Sequence, residues 1–266
     1  MMTARRTEAA VLVRALAASV MGLAGRIDGL EVELQDGWCV CTCPGLPIPP
    51  FCGILALDPA ADRRLAASLA GLVDGFDRHR MPPWLLLADG AFPESERAAR
   101  DLGLTESVEL PGMVLVPGEL AAPRPVDAAV RRITAAAADR RRFAETAAAG
   151  FGIPPAAAEL ITRAAAVDTP GIAYYLADTA AGAAACAIGY LVDDTLGVYV
   201  VGTLPDRRRR GLGGAIVARA VSDGFARGAR LAYLQSSPIG LSMYRQLGFR
   251  EVSRQLRLCR PGTVSG

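Results

Sequence analysis

Lysine is absent from this 266-residue chain, so its basic character rests on arginine alone, and histidine occurs once, at His79. Together with abundant alanine, that bias reads as composition rather than function. Charges nearly cancel, 29 basic against 27 acidic for a net +2, and no field suited to general nucleic-acid binding results. Aromatics make up only 6% of residues, and neither Arg207–Arg210 nor Arg140–Arg142 is interleaved with stacking rings, which argues against a nucleic-acid patch. His79 stands in Asp77-Arg78-His79-Arg80 before Pro82-Pro83, a polar helix end where an imidazole is a surface group rather than a base. Long apolar runs are missing too. Arg14 interrupts the stretch Ala9–Ala24, and the remainder is too short to span a bilayer. Its Val11, Leu12, Leu16, Val20 and Leu23 fall on one face, predicting an amphipathic first helix. A twin-arginine export signal at Arg5-Arg6 is the competing reading; otherwise nothing points to a membrane, and a cytoplasmic location is expected.

Six cysteines stand at positions 39, 41, 43, 52, 186 and 259. Three alternate in Trp38-Cys39-Val40-Cys41-Thr42-Cys43, so a strand places them on one face. A sulfur cage of Cys39, Cys41, Cys43 and Cys52 is conceivable, but structural zinc sites use C-x₂₋₄-C spacing rather than C-x-C, and buried small apolar side chains are the favoured reading.

The stretch that carries most chemistry is Arg207-Arg208-Arg209-Arg210-Gly211-Leu212-Gly213-Gly214. Before it lies a β-branched and aromatic run, Val198–Leu204, closed by Pro205-Asp206. After it, Ile216, Val217, Ala220, Val221, Gly224 and Phe225 recur at helical spacing, with Gly228 as a stop. Strand, glycine turn and helix in that order present unpaired N–H groups to a diphosphate. Glycines at 211 and 213 leave room for phosphates to approach the main chain. A plain solvated arginine turn is the alternative. The spacing is neither the dinucleotide fingerprint nor a P-loop, because Gly-x-Gly-x-x-Gly is missing and no Lys-Ser/Thr follows.

Arg208-x-x-Gly211-x-Gly213 resembles the acyl-CoA-binding motif of the GNAT N-acetyltransferase superfamily. Further on, Ser236-Ser237-Pro238 leads to Met243-Tyr244-Arg245-Gln246-Leu247-Gly248-Phe249, similar to the family's closing motif, in which a small polar residue contacts the cofactor and a Tyr precedes Leu-Gly-Phe. A strand expected over Ala229–Gln235 separates the two. The resemblance covers roughly Val126–Leu258 well and the first half faintly. It implies an α/β (α+β) GNAT fold, a mixed central sheet flanked by helices.

Expected elements in the first half are helices over Ala9–Ala24, Ala60–Asp77 and Glu94–Leu102. Strands are expected over Leu30–Leu34, Trp38–Thr42, Phe51–Leu57, Trp84–Leu87 and near Gly112–Leu115, with a Pro-rich turn at Pro44–Pro50. Pro117–Pro125 reads as a linker. Helices then cover Val126–Ala148 and Pro155–Ala166, and strands Ile172–Ala177, Ala183–Val192 and Val198–Leu204. Ala98–Leu104 lines up with Met243–Phe249, which suggests tandem GNAT-like lobes, a degenerate domain over 1–120 and a catalytic domain over 126–260. In that alignment Ala99 replaces Tyr244, and no Arg-x-x-Gly-x-Gly loop follows Leu57; a chance Leu-Gly-Leu helix end explains the likeness equally well.

The resemblance implies acetyl-CoA as cosubstrate and direct attack of an amine on its thioester. Backbone groups at Val201, Gly202 and Thr203 then hold the pantetheine arm and acyl carbonyl. The N–H groups of Arg209, Arg210, Gly211, Leu212, Gly213 and Gly214 hold the pyrophosphate, with the Arg208 side chain as outer support. Tyr244 matches the family's general acid, the alternative being that it packs beneath the Leu-Gly-Phe turn, and Ser237 takes the place of the small polar cofactor contact. Asp193 and Asp194 read as a solvated hairpin turn, Glu251 faces either side of the last strand, and no general base is named. Competing functions are a non-catalytic acyl-CoA-binding regulator and transfer of a longer acyl group such as succinyl. Acyl-CoA and an amine acceptor are the expected partners, in a monomer or homodimer.

Overall fold

A computed structural model describes residues 2–49 and 51–263, and among these the side chains of all but 2–11, 164 and 165. Pro50 of the proline turn, and the side chains of Arg5, Arg6 and Val11, therefore lie outside the described residues. By contacts the chain forms two compact units, residues 1–112 with 251–266 and residues 113–250. Strand β5 (Glu106–Leu115) passes from the first to the second. No helix among the described residues is long and apolar enough to cross a membrane.

The first unit opens with helix α1 (Met2–Leu23), whose Leu12, Val13, Leu16, Ala17 and Val20 are buried at i, i+3/i+4 spacing. It packs on β3 (Gly53–Ala56) and β4 (Leu85–Ala88). Strands β1 (Glu31–Leu34), β2 (Trp38–Thr42) and β3 form an antiparallel meander, β4 lies parallel to β3, and β11 (Arg250–Cys259) lies antiparallel to β4. Helix α2 (Asp62–Arg78) crosses from β3 to β4 and buries Leu65, Leu69, Val73 and Phe76. Helix α3 (Pro93–Asp101) follows β4, and the Asp62 carboxylate accepts from Glu94 N–H at 3.0 Å and Ser95 N–H at 2.8 Å, satisfying two donors of its first turn. All six cysteines are buried free thiols, and Sγ of Cys39 and Cys41 lie 3.7 Å apart on one strand face. Among the described residues no group of three or more His, Cys, Asp or Glu is arranged to hold a metal ion.

The second unit repeats the order strand, strand, strand, helix, strand, helix. β7 (Ile172–Thr179), β8 (Gly182–Val192) and β9 (Thr195–Thr203) form the meander, α7 (Leu212–Ala226) crosses to the parallel β10 (Leu231–Gln235), and α8 (Leu241–Gln246) follows. Helix α7 buries Leu212, Ile216, Val217, Ala220 and Val221 against one sheet face, in a core with Leu196, Val198, Ala232 and Leu234. Helix α4 (Ala137–Phe151) covers β8 and β9 on the other face.

Two expected helices are corrected. The span Val126–Ala148 is instead the strand β6 (Ala129–Arg132), antiparallel to β7, followed by α4 from residue 137. Edge pairing overrides the helical preference of this Ala- and Arg-rich stretch. The span Pro155–Ala166 divides into α5 (Pro155–Ile161) and α6 (Ala164–Val167). Thr162 ends α5, its hydroxyl donating back to Ala158 O at 2.7 Å.

An ion network fixes β6 to its neighbours. The Arg131 guanidinium bridges Asp139 at 2.8 Å and Asp178 at 2.8 Å, and Arg142 reaches Asp178 at 2.6 Å. The Arg131 hydrogen bond holds the Asp139 carboxyl at about 2, below its ordinary 3.8. Because the folded value lies below the unfolded one, this stabilisation is complete above the unfolded pKa and disappears as pH falls through the folded pKa. Thermal unfolding followed from about pH 5 to about pH 2 is expected to show a steep fall in Tm. Asp139→Asn is expected to lower Tm at pH 7 and flatten that fall; an unchanged slope contradicts the assignment.

Candidate functional site

β9 and β10 pair only at their start. Thr195 opposes Leu231, Leu196 opposes Ala232 and Gly197 opposes Tyr233. Beyond that point, among the described residues, no β9–β10 strand pairs follow. The pairing of β9 with β8 is irregular in the same segment: Ile188 opposes Tyr199 and Cys186 opposes Gly202, so Ala187 alone faces both Val200 and Val201. That is a β-bulge, and Val200 sits within it at φ +50°, a left-handed conformation costly for a β-branched residue.

Surrounding contacts determine this geometry. Cys186, fully buried, donates its thiol to Val200 O at 3.5 Å, and burial pushes its pKa up to about 12, so it stays a neutral donor. On the α4 side the helix end comes so close that a Cβ on Gly202 would stand 3.0 Å from Phe151 N and 3.1 Å from Gly150 C. A Cβ there is tighter than an ordinary contact, so β9 or the end of α4 would have to give by a few tenths of an ångström. The bulge was not foreseen from the sequence, because Val198–Val201 is apolar throughout and gives no break in period.

At the end of β9 a 3-10 turn (Pro205–Arg207) leads into the arginine loop. Arg209 at φ +62° and Gly211 at φ +82° both take the left-handed conformation, and α7 begins at Leu212 with no side chain capping it. Among the described residues, none of the amides of Arg209, Arg210, Gly211, Leu212, Gly213 and Gly214 donates to another main-chain group; the first α7 bond is Ala215 N–H to Gly211 O. Six N–H groups at the positive end of a 15-residue helix therefore stand ready for an anion. Arg208, Arg209 and Arg210 are all exposed, and the Arg208 side chain donates to Thr203 O at 3.2 Å and to Gly150 O at 3.3 Å. It ties the loop to the end of β9 and to a carbonyl in the last turn of α4.

The second motif stands beside the first. A Cβ on Gly213 would lie 3.0 Å from Met243 Sδ and 3.5 Å from Thr203 Oγ1, so α8, the start of α7 and the end of β9 converge at one point. Tyr244 follows Met243 on α8; it is 7% exposed and packs edge-on against Phe249 at 5.8 Å. Burial pushes its phenol above the ordinary tyrosine range, and among the described residues no hydrogen-bond partner holds its hydroxyl. Ser237 is exposed in the turn before α8, its hydroxyl accepting from Gly240 N–H at 3.4 Å. Asp193 and Asp194 are exposed in the β8–β9 turn, with Asp194 3.9 Å from Arg230.

Residues 193–252 match a family model described as an acetyltransferase (GNAT) domain. No curated protein matches the chain. Among solved structures, a GCN5-related N-acetyltransferase from Kribbella flavida is 19% identical over 95% of this chain and 96% of its own, with a TM-score of 0.69. A putative GNAT-family acetyltransferase from Novosphingobium aromaticivorans is 18% identical over 91% and 94%, with a TM-score of 0.58. A GCN5-related N-acetyltransferase from Sphaerobacter thermophilus is 16% identical over 88% and 84%, with a TM-score of 0.64. At these identities the solved structures establish the fold.

Gly202→Val presses a branched side chain against the main chain of α4's last turn, and a loss of about 1–3 kcal/mol is expected by urea unfolding. Stability within a few tenths of the parent contradicts the close approach of α4 to β9.

Proposed function

We propose that the chain is an acyltransferase of the GNAT superfamily that moves an acetyl group from acetyl-CoA to an amine by direct attack in a ternary complex, a reading supported by the family match over residues 193–252 and by the shared fold. One observation carries this reading: six unpaired main-chain amides at the start of α7 adjoin a strand that is both bulged and parted from its neighbour. The amides of Arg209–Gly214 take the pyrophosphate. The pantetheine arm runs back along Val201, Gly202 and Thr203, beyond the last β9–β10 pair. The thioester then reaches the bulge, where a main-chain N–H aimed at the carbonyl oxygen stabilises the oxyanion formed on attack. Arg208 acts through position, holding the loop against β9 and α4, while Arg209 and Arg210 face the phosphates.

Departure of CoA leaves a thiolate that needs a proton. Tyr244 supplies it, since burial keeps the phenol protonated through the neutral range and its hydroxyl has no competing protein acceptor among the described residues. Ser237 contributes a hydroxyl contact to the cofactor. The acceptor is an amine that arrives unprotonated or loses its proton to solvent. The catalytic lobe spans 126–260 and a degenerate GNAT-like lobe spans 1–120, a division supported by the repeated order of elements, although by contacts residues 251–266 group with the first unit. At the corresponding helix start in the first unit, the Asp58 carboxylate already accepts from Ala60 N–H at 3.0 Å, an arrangement that repels phosphate. The protein works in the cytoplasm as a monomer or homodimer.

Removing the phenol hydroxyl tests the assignment. Tyr244→Phe is expected to lower kcat about 100-fold or more in a thiol-release assay across an amine panel, with the Kd for acetyl-CoA unchanged. Unchanged kcat removes Tyr244 as the acid, and a parent protein that binds acetyl-CoA without turning over any amine supports a regulatory binding role instead.

A further inference from the structure

We infer that Tyr199 and Tyr233 form a stop at the closed end of the β9–β10 wedge that limits the transferred group to about two carbons; the inference rests on the acyl-CoA reading of the same site. The wedge has an open and a closed end. Its open end is at the start of α7, where the diphosphate is held, and its closed end is the last strand pair, Gly197 opposite Tyr233. A cofactor anchored at Arg209–Gly214 and running back along β9 brings its thioester to the bulge at Val200 and its acyl chain deepest of all. Tyr199 is the next residue toward the closed end, about 3.3 Å along the strand from Val200.

Tyr199 is placed to block that path. Its ring folds back over Gly197, where a Cβ would overlap it, and its hydroxyl meets the Tyr233 hydroxyl over the last strand pair. The two rings stand edge to face, with centroids 6.0 Å apart and planes at 84°. Tyr233 is 2% exposed and anchored in β10, whereas Tyr199 is half-buried. An acetyl methyl ends short of the rings. Each further methylene has to displace a ring held by its neighbour, and a pocket wall of this kind discriminates about 10- to 200-fold per methylene.

Binding tests the stop without knowledge of the acceptor. Calorimetric Kd values for CoA, acetyl-CoA, propionyl-CoA and butyryl-CoA are compared in the parent, Tyr199→Ala and Tyr199→Phe. In the parent, CoA and acetyl-CoA are expected to bind alike, propionyl-CoA at least about tenfold more weakly and butyryl-CoA at least about 100-fold more weakly. Tyr199→Ala is expected to bring butyryl-CoA within threefold of acetyl-CoA, while Tyr199→Phe, which keeps the ring, retains the discrimination. Tyr199→Leu provides the same comparison with a folded core should the alanine variant unfold. Equal binding of butyryl- and acetyl-CoA by the parent, or a ratio unaltered by loss of the ring, overturns the stop and leaves the acyl-CoA reading intact. Absence of binding by CoA and every acyl-CoA overturns that reading and the stop with it.

Discussion

A buried or helix-terminal amide needs an acceptor, and at the start of α7 six consecutive amides, Arg209 to Gly214, have none from the main chain among the described residues. Helix N-termini are ordinarily closed by a Ser, Thr, Asp or Asn side chain; here the capping position is Gly211, in the left-handed conformation, and it offers none. The contrast within the same chain is direct, because the helix start after β3 carries Asp58 as its own internal anion. One unit supplies its own negative charge at that position; at the other, no side chain caps the helix.

Three contacts shape β9 beside that open terminus. Cys186 holds the carbonyl of the strained Val200, Gly202 admits the end of α4, and Arg208 locks the loop to Thr203 and Gly150. Strain of about 1–3 kcal/mol at a residue such as Val200 persists only where its surroundings over-determine it. The core beneath α7 supplies that rigidity through Ile216, Val217 and Val221 packed on Leu196, Val198 and Leu234.

The loop, its flanking strand and helix, and the later Tyr244-x-x-Leu-Gly-Phe segment were legible because each is a local pattern: β-branched run, glycines at a turn, helical period, terminal glycine. The bulge was not, since it depends on how β8 and β9 count residues against each other, and nothing in Val198–Val201 marks the extra one. Residues 129–132 misled for the opposite reason: Ala and Arg favour a helix locally, but a position opposite β7 and the Arg131 ion network make them a strand. Arg208 also donates to two main-chain carbonyls, of Thr203 and Gly150, a contact that no local pattern signals.

The central claim is that the amides of the loop and the parted edge of β9 receive the cofactor. Amide chemical shifts recorded on adding CoA test it most directly. The account predicts that the largest changes fall on Arg209–Gly214 and Val201–Thr203, with smaller ones at Met243 and Tyr244. Binding of CoA that leaves those amides unmoved, or that instead perturbs the Asp58–Asp62 helix start of the first unit, contradicts it.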